Sequence, residues 1–109
     1  MRLPNLDRAI IDPAKLRSYV LNTEHKRGGT KARLLARFGY HRDQRLLEAD
    51  IRERHVEADV HVVRSSPYGV RYEIRAPLPT PVGRELMVRT IWQIDEGTDV
   101  PRLITLFPD

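Results

Sequence analysis

In the first half of the chain, hydrophobic residues recur every three or four positions, as they do on one side of an α-helix. The first such stripe consists of Leu16, Tyr19 and Val20. It follows Asp12-Pro13, where the aspartate can accept hydrogen bonds from free backbone amides and the proline fits the first helical turn. The pattern predicts a helix that begins at this pair.

Two further helices are predicted before residue 60. The first covers residues 30–38, because a threonine can cap its start and Gly39 can end it. The second begins at Asp43 and has Leu47, Ile51 and His55 recurring every four residues on one face, while most of its other positions are charged. Such a helix packs one side on a core and exposes the other.

From residue 60 onwards the pattern changes to an alternation of apolar and polar residues, which is typical of β-strands with one buried face. Four strands are predicted, at about residues 60–65, 70–76, 85–95 and 102–108. Their connections are too short for a parallel crossover, so consecutive strands should pair antiparallel. The sequence predicts an α+β fold, with two to three N-terminal helices packed on one face of a four-stranded antiparallel β-meander.

Length and composition limit the classes of protein to which this chain can belong. A chain of 109 residues builds one core, so residues 1–109 are expected to form a single domain. There is no cysteine, and the four histidines lack metal-ligand spacing, so no metal site is expected. No cofactor fingerprint is recognisable, and no cofactor is expected. The absence of a signal peptide or a long apolar run favours a cytoplasmic protein without a membrane span.

Positive charge is concentrated in the helical half. Residues 1–57 contain 13 Lys or Arg and 8 Asp or Glu, whereas residues 58–109 contain 6 and 7. Between positions 26 and 45, seven basic residues are opposed only by Asp43. This density would attract a phosphate-rich ligand such as RNA. The alternative explanation is a solubilising helix surface.

The segment HKRGGTK, residues 25–31, is a candidate phosphate-binding loop. Glycines that lead into a helix leave free backbone amides, and these amides and the helix dipole favour an anion. Lys31 lies in the first turn, where a cation opposes the dipole, a cost that a phosphate site would accept. A capped helix after a polar loop is the alternative, and the residue order is not that of a Walker A loop. Four residues are candidate substrate contacts: Arg27, Gly28, Gly29 and Thr30.

His25 is the histidine of this loop. An imidazole with a pKa near ~6.5 can exchange a proton at neutral pH, which suits acid–base catalysis, although a solvated surface histidine is the alternative. His41, His55 and His61 are weaker candidates, and His55 and His61 are expected at edge or surface positions. Trp92 is expected to fill the core rather than to stack on a ligand.

Several stretches of the chain resemble a family of largely uncharacterised bacterial domains, which occur as short stand-alone proteins and at the C-terminal ends of polymorphic toxins. The matching stretches are LPN, IIDPAKLRSYVLN, EHKRGGTKAR, FGY, VRTIWQI and PRLITLFP, so the resemblance spans nearly the whole chain. Family members commonly have a proline in place of Lys26, and an aromatic pair in place of Leu34 and Leu35. These departures concern loop rigidity and packing more than the positions of His25 and Lys31.

The order of helices followed by a meander also resembles the barnase, EndoU, colicin D and RelE group of metal-independent ribonucleases. In the chemistry that this resemblance implies, a base takes the proton of a ribose 2′-hydroxyl and the oxygen attacks the adjacent phosphate. Cations stabilise the added negative charge, and an acid protonates the leaving 5′-oxygen.

The same resemblance implies roles for particular side chains. His25 is the expected general acid or base, and Lys31 and Arg89 are the expected phosphate-stabilising cations. The remaining candidates are hydrogen-bonding or positioning groups on the last two strands: Thr105 among the catalytic residues, and Thr90 and Arg102 in substrate binding. Thr105 can also be present simply as a β-former. Arg89 and Thr90 point to opposite faces of one strand, so at most one of them can line a flat site.

The leading functional prediction is an RNA-cleaving toxin domain that a small, acidic neutralising protein holds inactive. Its catalytic cleft is expected between residues 25–31 and the polar face of the sheet. The alternative is a non-catalytic binding module, either an RNA-binding domain or the neutralising half of such a pair, which would use the same basic surface without His25. An enzyme acting on a small molecule or a nucleotide has less support, because no cofactor fingerprint is present.

Overall fold

The computed structural model describes residues 1–24, 29–41 and 43–109. A short 3-10 turn at Leu6–Arg8 precedes the first helix. Helix α1 begins with an α-helical turn at Pro13–Lys15 and continues as a π-helical turn at Leu16–Val20. Two helices and four strands follow, with these bounds: α2 Gly29–Arg37, α3 Gln44–Arg54, β1 Val62–Ser66, β2 Gly69–Leu78, β3 Leu86–Asp95 and β4 Pro101–Pro108.

The four strands form one antiparallel sheet in the order β1-β2-β3-β4, which confirms the predicted meander. One irregularity interrupts the pairing of β3 with β4. Ile91 pairs with Thr105, but the next residue, Trp92, pairs with Leu103, so β4 carries one extra residue, Ile104. The bulge therefore lies in the edge strand against which helix α2 packs.

The predicted helix starts are confirmed at α1 and α3. The Asp12 carboxylate accepts a hydrogen bond from the amide of Ala14 at 2.9 Å, and the Asp43 carboxylate accepts one from the amide of Arg45 at 3.0 Å. Both aspartates satisfy a backbone donor that the helix itself cannot pair. Helix α2 begins at Gly29, one residue before the predicted start.

The core lies between the helices and one face of the sheet, as the α+β prediction requires. Helix α3 packs on β2 and helix α2 packs on β4. Trp92 is fully buried, in agreement with its predicted place. Both layers contribute further fully buried residues: Leu16, Val20, Leu35, Leu47, Ile51, Ile74, Leu78, Val88 and Leu106.

The expectation that His55 lies at an edge or at the surface is wrong, since the residue is fully buried. Its Nδ1 lies 2.8 Å from the Thr90 hydroxyl, and its Nε2 lies 2.9 Å from the carbonyl oxygen of Ala76. Because a carbonyl can only accept, Nε2 carries the hydrogen and Nδ1 accepts from Thr90. The Thr90 hydroxyl in turn accepts from the indole N–H of Trp92 at 2.9 Å. This chain of hydrogen bonds lets a polar ring join the end of α3 to β2 and β3.

Because of His55, the free energy of unfolding should fall on mild acidification. Burial lowers the pKa of His55 below its usual 6.5, and the hydrogen bond to Ala76 opposes this only in part. Between the folded and the unfolded pKa the unfolded chain binds more protons, so stability is lost as the pH falls from about 6.5 towards the folded pKa. Urea unfolding between about pH 5 and 8 would measure how steeply the free energy of unfolding changes with pH. His55→Gln should flatten it and the exposed His61→Gln should not; equal slopes for wild type and His55→Gln would contradict this origin.

Candidate functional site

Helix α2 places Lys31 against the bulge of β4. The Lys31 ammonium donates to the Thr105 hydroxyl at 3.2 Å and lies 5.1 Å from the centre of the Tyr19 ring, within the range of a cation–π contact. Two of the predicted site residues, Lys31 and Thr105, therefore meet although 74 positions separate them. Burial lowers the pKa of Lys31, because its charged form has lost part of its water shell. A bound anion would compensate for that loss.

Lys15 brings a second ammonium group to the same place. It lies four residues before Tyr19, and this spacing puts both side chains on one side of α1. Together with Lys31 they line a cleft of about 520 Å³, whose other walls are Ile104 and Thr105. The pKa of Lys15 is lowered mainly by burial and then by the charge of Arg102, while Asp12 opposes the shift. We call this space the Lys15–Lys31 cleft.

Hydrogen bonds of Arg33 hold the start of α2 to Thr23. Arg33 donates to the carbonyl of Thr23 at 2.9 Å and to the Thr30 hydroxyl at 3.3 Å. A Cβ atom on Gly29 would lie 2.8 Å from the same carbonyl oxygen, so a larger residue would force the backbone to shift. Three predicted site residues lie outside the described residues: His25, Arg27 and Gly28.

Arg89 and Arg102 are placed differently from Lys31. Arg89 donates to Glu73 at 2.8 Å and to Asp109 at 3.2 Å. Arg102 forms an ion pair with Asp95 at 2.6 Å. The positive charge of each guanidinium is therefore balanced by carboxylates of the same chain, and a phosphate would have to compete with them.

Thr90 lies on the face of β3 opposite to Arg89, as the strand alternation predicted. Its hydroxyl is inside the core, where it already bonds to His55 and Trp92. Among the contacts recorded for the described residues, neither Thr90 nor Arg89 reaches Lys31. The structure thus brings Lys31 together with Thr105 and keeps Thr90 in a separate, internal network.

The two lysines of the cleft differ from most basic residues of the sheet in their surroundings. In the described part of the chain, no carboxylate forms an ion pair with Lys15 or Lys31, nor with Arg33 or Arg37 on α2. In contrast, three basic residues of the open sheet face, Arg64, Arg75 and Arg89, pair with Glu73 or Asp109, while Arg71 donates to the side chain of Gln93. Uncompensated positive charge is therefore concentrated where α1 and α2 meet β4.

The sequence reasoning missed Lys15 and Tyr19 as site residues. Tyr19 was interpreted only as part of the apolar stripe of the first helix, and Lys15 was not singled out. Their spacing of four residues was the available signal, because it places an ammonium and an aromatic ring on one side of the helix. The structure adds a signal that the sequence did not show, since Tyr19 lies in a π-helical turn and such turns occur frequently at functional sites.

Within residues 1–24, 29–41 and 43–109, acidic and histidine side chains do not gather in a group of three or more that could hold a metal ion. No helix over the same residues has the length and apolarity to cross a membrane.

Comparisons with known proteins establish the family and support the fold. Residues 2–109 match the family model described as Domain of unknown function (DUF6883), and the chain belongs to that family. No curated protein sequence matches significantly. A solved chain in a contact-dependent growth inhibition toxin–immunity protein complex from Klebsiella pneumoniae 342 is similar in fold, with a TM-score of 0.71 at 13% identity. The similarity covers 95% of this chain and 96% of that chain.

Proposed function

We propose that this member of the DUF6883 family is a metal-independent ribonuclease-type toxin domain, which cleaves RNA by attack of a ribose 2′-hydroxyl on the adjacent phosphate. The similarity in fold to a chain from a toxin–immunity complex supports the toxin part of the proposal. The ribonuclease part depends on the chemistry of the Lys15–Lys31 cleft and on His25, which precedes α2 in the sequence.

The observation that carries the proposal is the environment of Lys31. Its ammonium group is half-buried, has no carboxylate partner among the described residues, and is held by Thr105 and the Tyr19 ring. A structural lysine of this kind would be costly, because burial without a counterion disfavours its charge. A phosphate in the cleft would provide that counterion, and Lys15 would contact the same anion.

In the proposed reaction, His25 acts as the general base or the general acid. Lys31 and Lys15 stabilise the negative charge that develops on the phosphate when the 2′-oxygen attacks and before the 5′-oxygen leaves. Thr105 orients Lys31 through their hydrogen bond. Arg89 and Arg102, whose charges are already paired, are assigned to ion pairs that support the sheet rather than to phosphate contact.

A toxin domain requires a partner that holds it inactive in its own cell. We propose a small acidic protein that covers the Lys15–Lys31 cleft, since among the described residues neither lysine of the cleft forms an ion pair with a carboxylate. The second candidate function is that this chain is itself the non-catalytic member of such a pair, because the similar solved complex contains both a toxin and an immunity protein. A test of catalytic activity distinguishes the toxin domain from the non-catalytic member of the pair.

The first test is incubation of the purified protein with total bacterial RNA, tRNA included, in the presence of EDTA. We expect cleavage products with 2′,3′-cyclic phosphate ends from the wild type. His25→Ala should lower the rate by about 10²-fold or more, which is typical for loss of a general acid or base. His41→Ala, a change at an exposed histidine, is the matched control and should retain activity. RNA that stays intact across protein concentration and pH would favour the non-catalytic candidate.

A further inference from the structure

Lys31 also lines a second cleft. This cleft has a volume of about 560 Å³ and lies between α2 and the end of β4. Its walls include Lys31, Arg33, Leu34 and Arg37 from the helix and Phe107 and Pro108 from the strand. We call it the Phe107 cleft. None of its residues except Lys31 and Thr30 belongs to the candidate site as the sequence predicted it, and the proposed reaction does not use it.

The chemistry of the Phe107 cleft combines cations with an aromatic ring. Arg33 and Arg37 are exposed, and neither forms an ion pair with a carboxylate of the described residues. Phe107 is half-buried in the edge strand β4, on which α2 packs; it pairs with Arg89 and so lies on the open face of the sheet, where it forms part of the cleft wall at the sheet edge. Proteins that bind single-stranded nucleic acids use this combination, because cations follow the phosphates and aromatic rings stack on the bases.

The two clefts share one cation, Lys31. The Lys15–Lys31 cleft contains Tyr19 and the bulge residues Ile104 and Thr105, whereas the Phe107 cleft lies about three residues further along β4. Three strand residues span roughly 10 Å, so the two clefts are close neighbours on the protein surface. A phosphate bound at Lys31 could therefore carry one nucleoside into each cleft.

We propose that the Phe107 cleft is a base-binding subsite for single-stranded RNA, in which Phe107 stacks on the base next to the phosphate held by Lys31, and Arg37 contacts the following phosphate. The proposal deepens the proposed function, because it depends on RNA as the ligand of the Lys15–Lys31 cleft. It makes the recognised form of RNA a single strand or a loop, since a base within a duplex cannot stack on a side chain.

The experiment measures binding separately from cleavage. A fluorescent single-stranded oligonucleotide of about eight nucleotides with 2′-O-methyl riboses cannot be cleaved by 2′-hydroxyl attack, so its anisotropy reports binding alone. We expect Phe107→Ala to weaken binding by about 5- to 100-fold, as loss of one stacked base does, and Phe107→Tyr to retain it. Arg37→Gln should lower the slope of log affinity against log salt by about 0.7, the value for one phosphate contact on a single strand.

A matched control and the contrary outcomes complete the test. Tyr68→Ala removes an aromatic ring that is 69% exposed in the turn between β1 and β2, and it should leave the affinity unchanged. Unchanged affinity in a folded Phe107→Ala variant, or equal affinity for a duplex of the same sequence, would overturn the subsite. If Phe107→Ala does not fold, the salt slope of Arg37→Gln decides. If natural RNA is cleaved but Phe107→Ala does not change binding, the ribonuclease proposal stands and the subsite is wrong. If Phe107→Ala weakens binding but no RNA is cleaved, the subsite stands and the ribonuclease proposal is wrong.

Discussion

Replacement of Lys31 by methionine is expected to lower the rate of RNA cleavage by about 10²- to 10³-fold, the usual cost of removing one group that stabilises transition-state charge. Methionine keeps most of the length and the apolar stem of the lysine, so the packing against Tyr19 is largely preserved. Single-turnover cleavage of tRNA in EDTA would measure the change. The free energy of unfolding should be unchanged or slightly higher, because burial already disfavours the charged form of Lys31.

This combination of lower activity and equal or higher stability is what separates a functional lysine from a structural one. Arg45→Ala is a suitable control, because it removes a positive charge from the helical half at an exposed position that is paired only with Asp43. Its cleavage rate should stay within a few-fold of the wild type, as expected for a surface substitution outside the site. Cleavage by Lys31→Met at nearly the wild-type rate would remove Lys31 from the proposed mechanism.

Replacement of His55 by alanine is expected to destabilise the fold by about 3 kcal/mol, since it opens a cavity and removes the ring that joins Thr90 to the Ala76 carbonyl. A change of this size is a large part of the stability of a small domain and should lower the melting temperature by roughly 10–20 °C. Thermal unfolding followed by circular dichroism at neutral pH would measure it.

Two further variants test whether hydrogen bonding contributes beyond packing. Thr90→Val keeps the shape of the side chain but leaves the indole N–H of Trp92 and Nδ1 of His55 without their partner. It should cost about 1–3 kcal/mol, the penalty for unsatisfied buried groups. His61→Ala, at an exposed position, should change the stability by less than about 0.5 kcal/mol. A neutral Thr90→Val would show that only the volume of His55 matters.

The elements of the fold were predictable because their signals are local. The Asp12 and Asp43 caps and the alternation along β2 and β3 each depend on residues within a few positions of one another. The connections between the strands are too short for a parallel crossover, so the strands had to form an antiparallel meander. His55 is the exception, since helical spacing placed it correctly on the stripe of α3 while its polarity argued for the surface. Only the partners on β2 and β3 make its burial favourable.

The candidate site was predictable in part. Lys31 and Thr105 could each be named from the chain, but their contact depends on the packing of α2 against β4. Arg89 was chosen for its charge, and the structure shows that Glu73 and Asp109 compensate that charge. Only the tertiary structure shows that Lys15 and Tyr19 belong to the site, because it places α1 beside the bulge of β4.

The sequence by itself determined the elements, their order and the excess of positive charge in the helical half, because periodicity, caps and composition are properties of neighbouring residues. Only the tertiary structure decided which cations remain uncompensated, since an ion pair depends on distance in space and not on position in the chain. Arg89 and Arg102 pair with carboxylates, whereas Lys31 contacts the Thr105 hydroxyl and the Tyr19 ring, and Lys15 lines the same cleft. The location of the proposed RNA site follows from that difference.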